Sequence, residues 1–548
     1  MWRTGRKEHK MAHMNTSWRN HAVALIATAA LGGAMAVGTV APTPAWAVPA
    51  TVTIEQKANP DAKYQAFQLF KADVADDASA TNVTWGTNID DVKQTAIAAQ
   101  LDALTENGYT AWLTAKDLTS ETDKTNPQNA LDFITETITK EGAGEGAVVD
   151  ATDFAMKFAK WLQTENLIAA DTATAGQPFT SEEGYYLFVT DPKSLANGDV
   201  ATAPIWFPLG CSTTKITEKA KAPTVDKEVS GNQEGGDIAI GDTLPFVITA
   251  TLPSNFGSFD TYKMVLTDTP SHLAIKEGVI VKADGTDITK AEGVTVDLGD
   301  NGSSLIVTIN DLKKAYPKAT ANTKVTVEYT AELLPDASTT PGENQNNVKY
   351  EFSNDPNSNG TGTTTDKPVI VYTFLLDLLK VDEKTNEALE GAGFTICNDG
   401  GEYYDQNTHT WSLSKEDAEK NLIVTSKEGK LEIKGMPTGT YTLTEVKAPE
   451  GYEAQEGSSL TFTVNAEYDE NGQIVEGSFK VDDIQGSLAK DFVTDGSHGT
   501  ISVTAKNNKQ ISLAMTGAEG VGLAGVGVLG LGMAWYLVNK RRKDSEQA

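Results

Sequence analysis

At 548 residues with 39% hydrophobic content, the chain is too long for a single core and carries enough apolar side chains for about three domains. A formal net charge of −30 excludes a binder of phosphate backbones and suits a solvated, self-repelling extracellular surface, so nucleic acid is not an expected partner. Two cysteines, Cys211 and Cys397, leave little room for a disulfide framework: they either pair or serve as separate small hydrophobes, and covalent reinforcement must come mostly from elsewhere.

Residues 1–47 read as a signal peptide. Arg3, Arg6, Lys7, Lys10 and Arg19 precede the apolar stretch Ala22 to Ala41, and Ala45-Trp46-Ala47 supplies an A-x-A cleavage site. Residues 48–221 form a mixed α+β domain, with strands expected over Thr51 to Ile54, Tyr64 to Phe70 and Glu183 to Phe188. Its clearest helix runs from Thr152 to Leu162, with Phe154, Phe158 and Trp161 on one face as core. Beyond Pro223 the pattern changes to short alternating runs separated by Gly, Asn, Asp and Pro clusters, which predicts antiparallel sandwiches. The Asn- and Gly-rich stretch from Asn354 to Pro368 divides this half into domains at 222–367 and 368–510. The predicted class is therefore mainly β, two tandem immunoglobulin-like sandwiches behind an α+β domain.

In a strand, residues two apart share a face, so a charge in phase with apolar neighbours points at the core. Lys227 shares a face with Val225 and Val229, Asp268 with Met264 and Leu266, and Asn354 with Val348, Tyr350 and Phe352. The next domain repeats the set in the same order: Lys380 with Leu376 and Leu378, Glu445 with Tyr441 and Leu443, and Asn507 with Ile501, Val503 and Ala505. Asn508 competes with Asn507, but a regular strand turns it outward. Taken singly, each residue is a snorkelling lysine, an edge-strand acid or a turn asparagine; two complete ordered sets argue for purpose, because an unpaired buried charge costs many kcal/mol. Burial lowers an amine pKa and raises a carboxyl pKa, which sets a neutral amine beside a protonated acid. Such an amine can attack the asparagine amide carbon while Asp268 or Glu445 shuttles protons and ammonia departs, leaving a Lys–Asn isopeptide bond. Closing a loop of well over 100 residues in this way is worth about 5 kcal/mol by the loop-entropy estimate.

Residues 511–548 hold the second address. Leu513-Ala514-Met515-Thr516-Gly517 is followed by the apolar, uncharged stretch Val521 to Val538, long enough to cross a bilayer, and by Lys540-Arg541-Arg542-Lys543. This order resembles the tripartite cell-wall sorting signal of sortase substrates, with Ala514 in place of the proline of LPxTG. The resemblance implies sortase attack at the Thr516 carbonyl, cleavage before Gly517 and transfer to the cell wall.

The segments Pro223 to Lys227, Glu351 to Pro356, Leu378 to Asp382 and above all Tyr441 to Tyr452, which is similar to an E-box, resemble those of Gram-positive backbone pilins across nearly all of the mature chain. That resemblance implies a CnaA-like middle domain using Lys227, Asp268 and Asn354, and a CnaB-like C-terminal domain using Lys380, Glu445 and Asn507. It further implies a surface pilus, or fimbrium, whose subunits are joined between Thr516 and an acceptor lysine of the next copy. Lys219 is the expected acceptor from its spacing ahead of Pro223, with Lys215, Lys221 and the Tyr316-Pro317-Lys318 turn as alternatives; the pilin motif W-x3-V-x-V-Y-P-K is absent here. Implied partners are pilin-specific and housekeeping sortases, further copies of the chain, minor pilins and peptidoglycan. The competing reading is a wall-anchored adhesin or minor pilin with a host glycan or matrix ligand. A hydrolase finds no support, since histidine is scarce and no G-x-S-x-G or metal-ligand spacing occurs, and no metal or cofactor is expected.

Overall fold

The computed structural model describes residues 49–509 apart from 56–60, 104–107, 140–148, 166, 218–220, 230–234, 453–457, 470 and 489–491. The signal-peptide segment, Lys219 and the whole sorting signal with Leu513, Thr516 and Gly517 lie outside these residues. Among the described residues no helix is long and apolar enough to cross a membrane.

Among the described residues, three apolar cores follow one another along the chain. In the first, Lys63–Val74 pairs antiparallel with Gly184–Thr190 at the centre of a five-stranded sheet. The Ala151–Thr164 helix buries Phe158, Ala159 and Leu162 in this core, with Trp161 partly covered, as a 3.6-residue apolar period requires. Ala50–Glu55 runs parallel to Lys215–Thr217 in a smaller sheet, where Lys215 pairs with Glu55 at 2.7 Å. Cys211 sits buried in this domain and Cys397 lies on a strand of the third, and both are free thiols.

The middle domain is a sandwich of two sheets. One orders Val225–Val229, Thr243–Thr251, Lys324–Leu333, Ile280–Ala283 and Thr286–Asp287. The other orders Gly235–Asp237, Lys367–Tyr372, Gln345–Ser353, Met264–Pro270, Leu305–Ile309 and Val294–Leu298. The strand Lys367–Tyr372, which begins where the sequence reading divides the two domains, pairs with Gln345–Ser353. Its Val369 and Val371 join the middle core while Ile370 and Tyr372 join the third, so one strand with two apolar faces serves both domains.

The third domain is also a sandwich. Lys430–Met436, Phe374–Asp382, Thr500–Asn507 and Phe492–Asp495 make one sheet, in which Phe374–Asp382 and Thr500–Asn507 run parallel. The other is built around Gly393–Asn398, Gly439–Lys447 and Ser459–Asn465. The two sandwiches are clasped together by Asp237, whose carboxylate accepts from Thr438 N at 2.6 Å, Thr438 Oγ1 at 2.9 Å and Tyr468 Oη at 2.5 Å. The Tyr372 ring packs at a tilt against Tyr468, with centroids 5.2 Å apart, and its hydroxyl donates to the Gly472 carbonyl.

Candidate functional site

In the third domain, strand alternation turns Lys380, Glu445 and Asn507 into the space between the sheets, where they are 0%, 6% and 3% exposed. Lys380 and Asn507 come from adjacent parallel strands in a register that sets Lys380 beside Ala505 and Asp382 beside Asn507; Glu445 reaches across from the opposite sheet. Lys380 Nζ lies 2.8 Å from Asn507 Oδ1 and 3.3 Å from Glu445 Oε2, and Asn507 Nδ2 donates to Glu445 Oε1 at 2.9 Å. The three groups close a ring of contacts, with the Phe394 ring 5.5 Å from the ammonium. Burial pushes the Lys380 amine pKa below its ordinary value, against the opposing pull of Glu445. Asn508, next in sequence, is exposed.

The middle domain brings together two of its three expected residues. Lys227 Nζ donates to Asp268 Oδ1 with both side chains buried, and burial lowers the lysine pKa to about 8 despite that carboxylate. The expected amide, Asn354, is elsewhere. Asp268 is paired with Val348, and Asn354 lies six residues further along, about 20 Å away at the rise of a strand. Asn354 instead sits at the junction with the first domain, where its carbonyl accepts from Ala201 N at 2.6 Å. The amide at the site is Asn346, fully buried and opposite Pro270, two residues from Asp268 on the paired strand. Asn346 has the same strand phase as Asn354, so alternation admitted both; the pairing register selects between them.

A second residue at this site carried no signal in the sequence reading. Tyr329, on the Lys324–Leu333 strand, donates its hydroxyl to Asp268 Oδ2 and accepts from Asn346 Nδ2 at 3.0 Å. Its phenol pKa is raised well above the ordinary value by burial and by the Asp268 charge. Phe246 stacks on the Tyr329 ring at 5.5 Å, and Lys227 Nζ stands 5.5 Å from Phe246 and 5.8 Å from Tyr329. Asn346 Oδ1 has no hydrogen-bond partner among the described residues.

The amine's depressed pKa has a measurable sign. Between a folded value of about 8 and the ordinary 10.5, the unfolded lysine is protonated and the folded one is not, so unfolding takes up a proton. An Asn346→Ala chain, which keeps Lys227 as a free amine, should therefore gain stability as pH rises from about 8 to 10 in calorimetric melts. A middle domain whose Lys227 has become an amide should lack that rise, because an amide does not titrate.

Of the acceptor candidates within the described residues, Lys215 is engaged with Glu55, Lys221 is exposed ahead of the first middle-domain strand, and Lys318 is exposed in a turn after the Leu312–Ala315 helix. Among the described residues no group of three or more His, Cys, Asp or Glu could hold a metal ion.

Residues 375–478 match the family described as SpaA, a prealbumin-like fold domain. No curated protein matches the chain. Among solved structures, the T6 backbone pilin of serotype M6 Streptococcus pyogenes is similar at 14% identity and a TM-score of 0.52, covering 84% of this chain and 98% of that one. The full-length major pilin SpaD from Corynebacterium diphtheriae aligns at 16% identity over 85% of this chain and 98% of that one, with a TM-score of 0.45. BcpA, the major pilin subunit of Bacillus cereus, aligns at 20% identity over 61% of this chain and 87% of its own, with a TM-score of 0.36. Residues 375–478 are thus similar to a SpaA prealbumin-like domain, within a chain whose fold is similar to that of the modular three-domain T6 backbone pilin.

Proposed function

We propose that the chain is a structural subunit of a covalently assembled surface pilus of a Gram-positive cell, reinforced by one internal Lys–Asn isopeptide bond in each sandwich. The observation that carries this reading is the repeated buried lysine, carboxylate and carboxamide in two separate cores. A lone charge at such depth costs several kcal/mol, and two hydrophobic replacements would stabilise either core at less cost, so the sets are better explained by chemistry than by packing.

The step is the same in both domains. A neutral lysine amine attacks the asparagine Cγ, the C–N bond to Nδ2 breaks, and ammonia leaves with a proton that the amine gives up. In the third domain Glu445 touches both nitrogens and carries that proton directly. The set is Lys380, Glu445 and Asn507 there, and Lys227, Asp268 and Asn346 in the middle domain. Assembly then follows from the sorting signal: a sortase cleaves between Thr516 and Gly517, and an acceptor lysine of the next copy, for which Lys219 is the first candidate, takes the acyl group.

Peptide and intact mass spectrometry of the full-length chain tests the internal bonds. Two ammonias should be missing, about 17 Da each, with one restored in Lys227→Ala and one in Lys380→Ala; full mass in the parent chain would overturn the isopeptide reading. Polymerisation is read separately, as a ladder of wall-linked multimers that Thr516→Ala abolishes and that substitution of the acceptor lysine collapses to monomers. Monomers from the parent chain itself would favour the adhesin.

A further inference from the structure

The two sites differ in one methylene. Glu445 is long enough to hold Lys380 Nζ with Oε2 and Asn507 Nδ2 with Oε1, so a single carboxyl bridges the attacking and the departing nitrogen. Asp268 is shorter. It holds Lys227 Nζ with Oδ1, but its second oxygen meets the Tyr329 hydroxyl, and that hydroxyl in turn receives Asn346 Nδ2. Tyr329 comes from the same sheet as Lys227, whereas Asp268 and Asn346 come from the opposite one, so the tyrosine spans the sandwich at the reacting atoms.

Resting on the isopeptide reading above, we propose that Tyr329 is a further catalytic residue of the middle domain, an acid that completes the reach of Asp268 and delivers the proton to the departing ammonia. The balance closes. As Lys227 Nζ bonds to Asn346 Cγ, the amine proton passes to Asp268, the Tyr329 proton passes to Nδ2, and Asp268 hands the proton it received to the Tyr329 oxygen. The Cγ–Nδ2 bond breaks, NH3 leaves, and Asp268 and Tyr329 end as they began. The same contact fixes the amide plane: Nδ2 is held by Tyr329, and Oδ1 has no hydrogen-bond partner among the described residues. The stack of Phe246 on the Tyr329 ring holds the hydroxyl in place and dries the surroundings of the amine.

The test follows the branched tryptic peptide joining Lys227 to Asn346 in freshly translated full-length chain over time. In Tyr329→Phe, which keeps the ring and its stack, the bond should form on the order of 100-fold more slowly, the lower range for loss of a positioned acid, while the Lys380–Asn507 peptide in the same molecules forms at the parent rate. In an Asp268→Glu background the longer acid reaches Nδ2 by itself, so adding Tyr329→Phe there should change nothing. A parent-like rate in Tyr329→Phe, or an undiminished tyrosine dependence in the Glu background, overturns the relay and leaves the isopeptide reading standing. Absence of the branched peptide from the parent chain overturns both.

Discussion

In an Asn507→Ala chain the C-terminal sandwich should unfold roughly 15 °C below the parent in calorimetry, with the first two domains unchanged. The size comes from chain entropy: Lys380 and Asn507 are 127 residues apart, and tying ends so distant removes about 5 kcal/mol of unfolded-state freedom. A domain of this length gains entropy on unfolding of about 0.3 kcal/mol per kelvin, which converts that loss to the stated shift. Alanine at 507 leaves the Lys380–Glu445 pair together, so the experiment removes the crosslink and two hydrogen bonds without stranding a charge. A shift of only a few degrees would mean that Lys380 and Asn507 are hydrogen-bonded neighbours and no more.

Asn346→Ala should abolish the Lys227 branched peptide completely, and Asn354→Ala should leave it untouched. Both asparagines are buried and both share the phase of Val348, Tyr350 and Phe352, yet Asp268 faces Val348 across the ladder and only Asn346 is within reach of its partners. A branched peptide that survives Asn346→Ala and disappears in Asn354→Ala would reverse this assignment and the strand register with it.

That pair of residues marks how far the sequence could be read. Alternation identified Lys227, Asp268, Lys380, Glu445 and Asn507 as inward-facing because burying one face of a strand is a local, period-two constraint. Choosing Asn346 over Asn354 needs the offset between Met264–Pro270 and Gln345–Ser353, strands some eighty residues apart, and nothing local encodes it. Tyr329 was hidden differently. In phase with Val325, Val327 and Ala331 it reads as one more core aromatic, and only the acid and amide at its hydroxyl distinguish it. The sheet content after Pro223 and the helix containing Phe158 were legible from pattern. The sharing of Lys367–Tyr372 between two cores was not, because a strand apolar on both faces looks alike at the centre of one domain and at the seam of two.

The parallel pairing of Phe374–Asp382 with Thr500–Asn507 has a mechanical consequence. The chain enters the domain at the start of the first strand and leaves it at the end of the second, so tension along the molecule pulls the two strands past each other lengthwise. Their hydrogen bonds, in register from Leu375 with Thr500 to Asp382 with Asn507, are loaded together in shear and must break nearly at once; an antiparallel hairpin pulled from its open end would unzip one bond at a time. The topology alone makes this sandwich stiff along the axis that runs from the start of its first strand to the end of its last.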